Sequence, residues 1–190
     1  MMQAGFPLPV AGVLLAAGAG RRYGMPKVLV DEFLTAALTA LRDGGCDDVV
    51  LVLGAAQVAA PTGVIAVTAP DWERGLSASV RAGLTHADRL GAEYALLHIV
   101  DTPDVGASVV NRVLNRALAS RSGLARACFS DRPGHPVVIA RRHWPAVIAE
   151  LTGDHGAGMY LRSRNDVEMV DCGDLATGRD WDTPDGGEPG

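Results

Sequence analysis

The amino-acid sequence predicts one α/β domain spanning residues 1–190, with a mostly parallel, mixed sheet held between two helical layers. Three observations predict it. Short apolar runs of strand length alternate with segments of helical period, the pattern of βαβ units. Hydrophobic residues make up 48% but aromatics only 5%, so Ala, Val, Leu and Gly must form the core. That mixture suits strands buried on both faces beneath small-residue helices. Finally, no repeat or linker-like stretch divides the chain.

The elements follow in order. Val10–Leu15 is an apolar run closed by Pro9 and Gly18, the pattern of a buried strand. Phe33–Arg42 has helical spacing in Phe33, Ala37, Leu38 and Leu41, and Gly44-Gly45 stops it. Val49–Leu53 and Val64–Val67 read as strands, and Leu76–Leu90 as a helix with Leu76, Val80, Leu84 and Ala87 inward. Tyr94–Val100 is a strand ended by Asp101-Thr102-Pro103, and Ser108–Leu118 a helix on Val109, Val113 and Ala117. Ala125–Phe129 and Pro136–Ala140 read as strands joined by a turn at Asp131-Arg132-Pro133-Gly134. Helices are expected at Arg142–Leu151 and Ala157–Arg162, a last strand at Val167–Val170, and weak order from about residue 186. In a sheet of this kind ligands bind beyond the carboxyl ends of the strands. Gly18–Lys27, Gly54, Pro70–Gly75 and Asp101–Pro103 should therefore meet on one rim.

Composition excludes several functions. A net charge of -5 without a basic stripe argues against nucleic acid as a partner. The three cysteines, Cys46, Cys128 and Cys172, have no metal-ligand spacing and read as free thiols of a reducing compartment, so a cytoplasmic location is expected. Val10–Ala17 is too short to span a bilayer, and no membrane partner is expected.

The segment Leu15-Ala16-Ala17-Gly18-Ala19-Gly20-Arg21-Arg22-Tyr23-Gly24-Met25-Pro26-Lys27 carries the chemistry. A dinucleotide fingerprint needs G-x-G-x-x-G and an acid ending the next strand. Here three residues separate Gly20 from Gly24, and Val52-Leu53-Gly54-Ala55 supplies no acid. A P-loop fails too, because Pro26 precedes Lys27 and Val28 cannot ligate a metal. What fits is a phosphate loop with its own cations. Glycines turn backbone N–H groups towards phosphates, Arg21 or Arg22 supplies a fork of donors, and Lys27 a point charge near the α-phosphate.

This segment resembles the signature of the MobA-like nucleoside-triphosphate transferases, and within them it is most similar to the molybdenum cofactor cytidylyltransferases. Further blocks continue the likeness: Pro70–Leu84, Val100-Asp101-Thr102-Pro103-Asp104-Val105, Gly134-His135-Pro136-Val137, Gly153–Ala157 and Asp180-Trp181-Asp182-Thr183-Pro184-Asp185. Two stretches, Lys27–Phe33 and Arg121–Arg126, are shorter than the family pattern, which places a reduced or mobile loop beside the phosphates.

The resemblance implies a Rossmann-like nucleotidyltransferase fold and transfer of NMP to the phosphate of molybdopterin, releasing pyrophosphate. It assigns nucleotide binding to Leu15, Ala16, Ala17, Gly18, Ala19, Gly20, Arg21, Arg22, Lys27 and Ser79. Lys27, Arg22 and Asp101 would be catalytic, Asp101 and Asp182 would hold Mg²⁺, and Gly134 and His135 would face the acceptor. Ala17 favours CTP, because the related guanylyltransferases carry Gly there, and GTP stays open. A client molybdoenzyme is a further implied partner. Two other readings are an NAD(P)H-dependent oxidoreductase, an activity some family members bear, and a non-catalytic molybdenum-cofactor carrier. The spacing of the loop and the missing acid oppose the first, and Lys27 with Asp101 opposes the second.

Overall fold

A computed structural model of the chain describes residues 8–183. Seven strands form one sheet: β1 (Val10–Leu15), β2 (Asp48–Leu53), β3 (Val64–Thr68), β4 (Tyr94–Ile99), β5 (Leu124–Phe129), β6 (Arg132–Ala140) and β7 (Glu168–Asp171). Their order across the sheet is β3-β2-β1-β4-β6-β5-β7. β1 pairs in parallel with β2 and β4, and β2 with β3. β6 runs antiparallel to both β4 and β5, while β5 and β7 are parallel, so β6 opposes the other six strands. The mostly parallel, mixed sheet is as the sequence predicts.

Alternate strand residues face opposite helical layers, as the period of two requires. Val10 and Leu14 meet α1 (Asp31–Asp43) and α3 (Ala107–Ala119) through Phe33, Leu38, Leu41, Val109, Val113 and Ala117. Ala11, Val13 and Leu15 meet α2 (Leu76–Arg89), which buries Val80, Leu84 and Ala87. The same layer takes Trp144 and Val147 of α4 (Trp144–Glu150) and Tyr160 and Leu161 of α5 (Gly158–Arg162). No helix of the described residues is long and apolar enough to cross a membrane.

Two expectations are corrected. The hairpin turn is Ser130-Asp131, both at positive φ (48° and 65°), and β6 already begins at Arg132. Consecutive left-handed residues make the primed two-residue turn that matches strand twist. Pro133 and Gly134 thus lie in the strand, opposite the irregularity between Arg126 and Cys128. The helix expected from Arg142 instead opens with a single turn at Arg141–His143, and α4 starts at Trp144 with Pro145 in its first turn. The tail from 186, with Pro184 and Asp185 of the last block, lies outside the described residues.

The connections explain where a site must form. From β1 the chain winds outward through β2 to β3, then returns to place β4 on the other side of β1. The loops leaving β1 and β4 therefore diverge around a crevice at their carboxyl ends, the switch point at which open α/β sheets bind ligands.

Candidate active site

The loop after β1 is fixed to its neighbours before it reaches the crevice. Ala16 N–H donates to the carbonyl of Val52, and Ala55 N–H to that of Ala17, each at 3.0 Å. Gly54 permits this approach: a Cβ there would lie 2.6 Å from Trp72 Cβ and 2.7 Å from both the Cβ and the carbonyl oxygen of Ala17. The Ala17 methyl thus faces Gly54. At Gly20 the backbone takes φ +60°, and a side chain would strike the carbonyl of Met25. Gly24 N–H closes the turn onto the Gly20 carbonyl at 2.8 Å. The Tyr23 ring then packs on Phe33 of α1, centroids 5.7 Å apart. The connection that looks short in sequence is a single turn at Lys27–Leu29, followed at once by α1.

That turn buries Lys27, which is only 8% exposed. Its Nζ donates to Asp101 Oδ2 at 2.9 Å and to Asp182 Oδ1 at 3.3 Å. Arg22, itself exposed, reaches the other oxygen of Asp182 at 2.9 Å, so it is committed to this network. Asp101 follows β4 after one residue, Val100. Asp182 arrives from the far end of the chain on a strap that runs along the cavity wall. Thr177 donates to Asp104 Oδ2 from both its N–H and its hydroxyl, at 2.6 Å each. Trp181 N–H donates to the Asp101 carbonyl at 2.9 Å, and its ring meets Phe33 edge-on at 5.8 Å. Between them, Asp180 has its carboxyl pKa raised by burial and by the charges of Asp101 and Asp182.

Several buried polar atoms are left without partners. Asp101 Oδ1, Thr102 Oγ1 and both ring nitrogens of His98 are enclosed and make no hydrogen bond. Such atoms cost free energy unless something satisfies them. Burial, with His135 second, pushes the His98 imidazole down to about 3 against the opposing pull of Asp101. His135 is pushed down to about 4 by burial and by Arg126. Both rings are neutral near pH 7.

One open cavity of about 1420 Å³ takes in Asp101, Thr102 and His135. It exceeds the ~300–1,000 Å³ usual for a single small ligand. Every residue to which the resemblance assigns a site role lines it: Leu15 to Arg22, Lys27, Ser79, Asp101, Asp182, Gly134 and His135; Gly54, Pro70 and Pro103, also expected on this rim, do not. Ser79 is buried on the second turn of α2, and neither it nor Ser77 caps that helix. His135 is a half-buried strand residue of β6. Sequence reasoning missed the Thr177–Asp104 tie, His98 and Arg126. Only Arg126 left a signal, a charge set between two buried alanines of a strand.

A crevice at the β1/β4 switch point, walled by a glycine loop that carries its own cations, defines a nucleotidyltransferase-type α/β domain. The chain belongs to the MobA-like NTP transferase domain family, whose pattern its residues 12–168 match. Membership implies a nucleoside triphosphate as one substrate. Over 190 aligned residues the chain is 36% identical to nicotine blue oxidoreductase of Paenarthrobacter nicotinovorans, covering 92% of each. Its fold is similar to that of the Rv0371c homologue from Mycobacterium sp. strain JC1, with 30% identity, TM-score 0.79, and 93% and 92% of the two chains covered. It is also similar to Rv0371c of Mycobacterium tuberculosis H37Rv in complex with manganese, with 26% identity, TM-score 0.66, and 86% and 88% covered.

Proposed function

We propose that the protein is a Mg²⁺-dependent nucleotidyltransferase that moves NMP from CTP, or secondarily GTP, to the phosphate of a molybdopterin-type acceptor, releasing pyrophosphate. The observation that carries this reading is Lys27, buried between Asp101 and Asp182 at the foot of a glycine loop. Two carboxylates converge on one cation position, and Asp101 keeps an unpartnered oxygen. Mg²⁺ takes hard oxygen ligands, commonly one or two carboxylates plus substrate phosphates, so the donor set fits. Asp101 and Asp182 would hold the ion, and it would neutralise charge on the triphosphate. The manganese bound by Rv0371c supports a divalent ion of this type.

The chain's own residues would do the rest by position and charge. The backbone of Gly18 to Gly20 seats the triphosphate, and Lys27 and Arg22 face the negative charge that builds around the α-phosphorus. An acceptor phosphate oxygen bonds to that phosphorus, the bond to the bridging oxygen breaks, and pyrophosphate leaves with the electron pair. The acceptor oxygen is already ionised at neutral pH, so no general base is required.

A second reading, an NAD(P)H-dependent oxidoreductase, is favoured by the name of the 36%-identical relative. The end of β2 at Leu53-Gly54-Ala55 counts against it, because no acid is there to receive a ribose hydroxyl. Incubation with Mg²⁺, molybdopterin and each NTP in turn separates the two. Pyrophosphate release with CTP or GTP is expected. NAD(P)H oxidation without pyrophosphate would replace the proposal by the second reading.

A further inference from the structure

The wall of the cavity formed by β5 and β6 holds a cation that the transfer mechanism above does not use. Arg126 projects from β5 between Ala125 and Ala127, both fully buried. Its Nε–H donates to the Gly134 carbonyl at 3.0 Å, which fixes the plane of the guanidinium within the cavity wall. Its two terminal nitrogens make no hydrogen bond, and among the described residues no carboxylate pairs with it. Burial first, and then the charge of Arg162, disfavour its protonated form, with Cys128 acting the other way. Arg132, exposed at the start of β6, lines the same wall and is likewise without an acidic partner among the described residues.

The contrast with the other half of the cavity is chemical. There Lys27 and Arg22 are matched by Asp101 and Asp182. Asp154, an acid that also lines the cavity, lies against Gly75 at the head of α2. A half-buried arginine without a counter-ion carries a desolvation cost that a ligand can remove. A planar guanidinium with two free N–H-bearing nitrogens matches the oxygens of a phosphate or carboxylate.

We propose that Arg126, with Arg132 at the rim, is the receptor for the phosphomonoester of the acceptor and so restricts this protein to anionic acceptors. The assignment rests on the transfer reaction proposed above. Gly134 then acts as a positioning residue: its carbonyl holds the Arg126 plane, and its lack of a side chain keeps Phe129 close (a Cβ would lie 2.9 Å from that ring).

The test uses the full chain as wild type, Arg126→Gln, Arg126→Lys and Lys27→Ala. Phenyl phosphate serves as the phosphomonoester probe and phenol as its uncharged counterpart. Binding is read by calorimetry and by the Arg126 Nε–H resonance, with Mg–CTP titrated separately. Wild type should bind phenyl phosphate over phenol and shift that resonance. Arg126→Gln should weaken the probe by roughly tenfold to 100-fold, as expected for a charge-assisted pair, and keep its affinity for Mg–CTP. Arg126→Lys, which retains charge without the fork, should fall between. Lys27→Ala should lose Mg–CTP and keep the probe. Unchanged probe binding in Arg126→Gln overturns the inference, as does an equal loss of Mg–CTP, which would assign Arg126 to the triphosphate. Should the Gln variant fail to fold, a silent Arg126 resonance in wild type overturns it equally. Failure of wild type to bind any Mg–NTP defeats the transfer reaction instead, a result distinct from loss of the probe.

Discussion

Lys27 Nζ lies 2.9 Å from Asp101 Oδ2, and this pair joins the loop after β1 to the end of β4 across the switch point of the sheet. Asp182 completes the arrangement from 155 residues away, at 3.3 Å. The ammonium therefore stands where the two carboxylates would hold a divalent ion. Removing it should have opposite effects on catalysis and on metal affinity. Lys27→Met is expected to lower pyrophosphate release by about 10²–10³-fold, the usual loss for one group that stabilises transition-state charge. The same variant should bind Mn²⁺ roughly tenfold more tightly or better, because like charges ~4 Å apart repel by up to ~4 kcal/mol near a protein surface. Mn²⁺ titration by electron paramagnetic resonance, with circular dichroism for the fold, checks both. Equal or weaker Mn²⁺ binding would contradict the shared position.

The strap carrying Asp182 depends on Trp181 against Phe33. Trp181→Ala should cost at least about 0.5–1.5 kcal/mol, the worth of an aromatic pair before its buried area is counted. It should also raise KM for the triphosphate severalfold, since Asp182 loses its anchor. Asp104→Ala, which frees Thr177, should raise KM in the same direction. Thermal melting and steady-state kinetics measure the two effects. A lower melting temperature with unchanged KM would remove the strap from the site.

Gly20 and Gly54 should respond differently to alanine. Gly20→Ala meets both a positive φ and the Met25 carbonyl, so the loop must change shape and triphosphate binding should fall at least tenfold. Gly54→Ala keeps an ordinary backbone but pushes Ala17 and Trp72 apart, an overpacking cost of about 1–3 kcal/mol. Calorimetric titration with Mg–CTP distinguishes them. Equal binding by Gly20→Ala and wild type would contradict the loop's role.

His98 is 0% exposed, with both ring nitrogens unpartnered, and stays neutral down to about 3, against 6.5 for an ordinary histidine. Below pH 6.5 the unfolded chain takes up a proton that the folded chain refuses. The stability present above pH 6.5 is therefore lost as pH falls, by about 2–3 kcal/mol at pH 4.5 from this residue. His135, with a lowered pKa of its own, adds in the same direction, while Asp101 opposes the shift at His98. His98→Leu should flatten the decline measured by urea unfolding between pH 7 and pH 4.5. An unaltered slope would show that the ring is not the source.

Much of this was legible in the sequence because local pattern and tertiary position coincide. Val10–Leu15 had to be a buried strand, and a cationic glycine loop directly after it had to open at the strand's carboxyl end. Asp101 was legible for the same reason, as the first residue past an apolar run. Asp182 was less so: an acid in an acidic segment usually faces water, and only the fold brings it to Lys27. The Pro133-Gly134 pair misled because turn residues can also sit in a strand beside an irregular register, while Ser130-Asp131 turns without glycine. Ala17 was read as the residue that selects the base. Its methyl faces Gly54 while the residue lines the cavity.

The measurement closest to the central claim follows the α-phosphate itself. The protein is incubated with Mg²⁺, molybdopterin and CTP or GTP labelled at the α-phosphorus, and the pterin product is isolated and weighed by mass spectrometry. Nucleotidyl transfer predicts one labelled NMP per pterin, joined through a new pyrophosphate linkage, with one unlabelled pyrophosphate released for each. Label that stays on free nucleotide, while the pterin mass is unchanged, would contradict it.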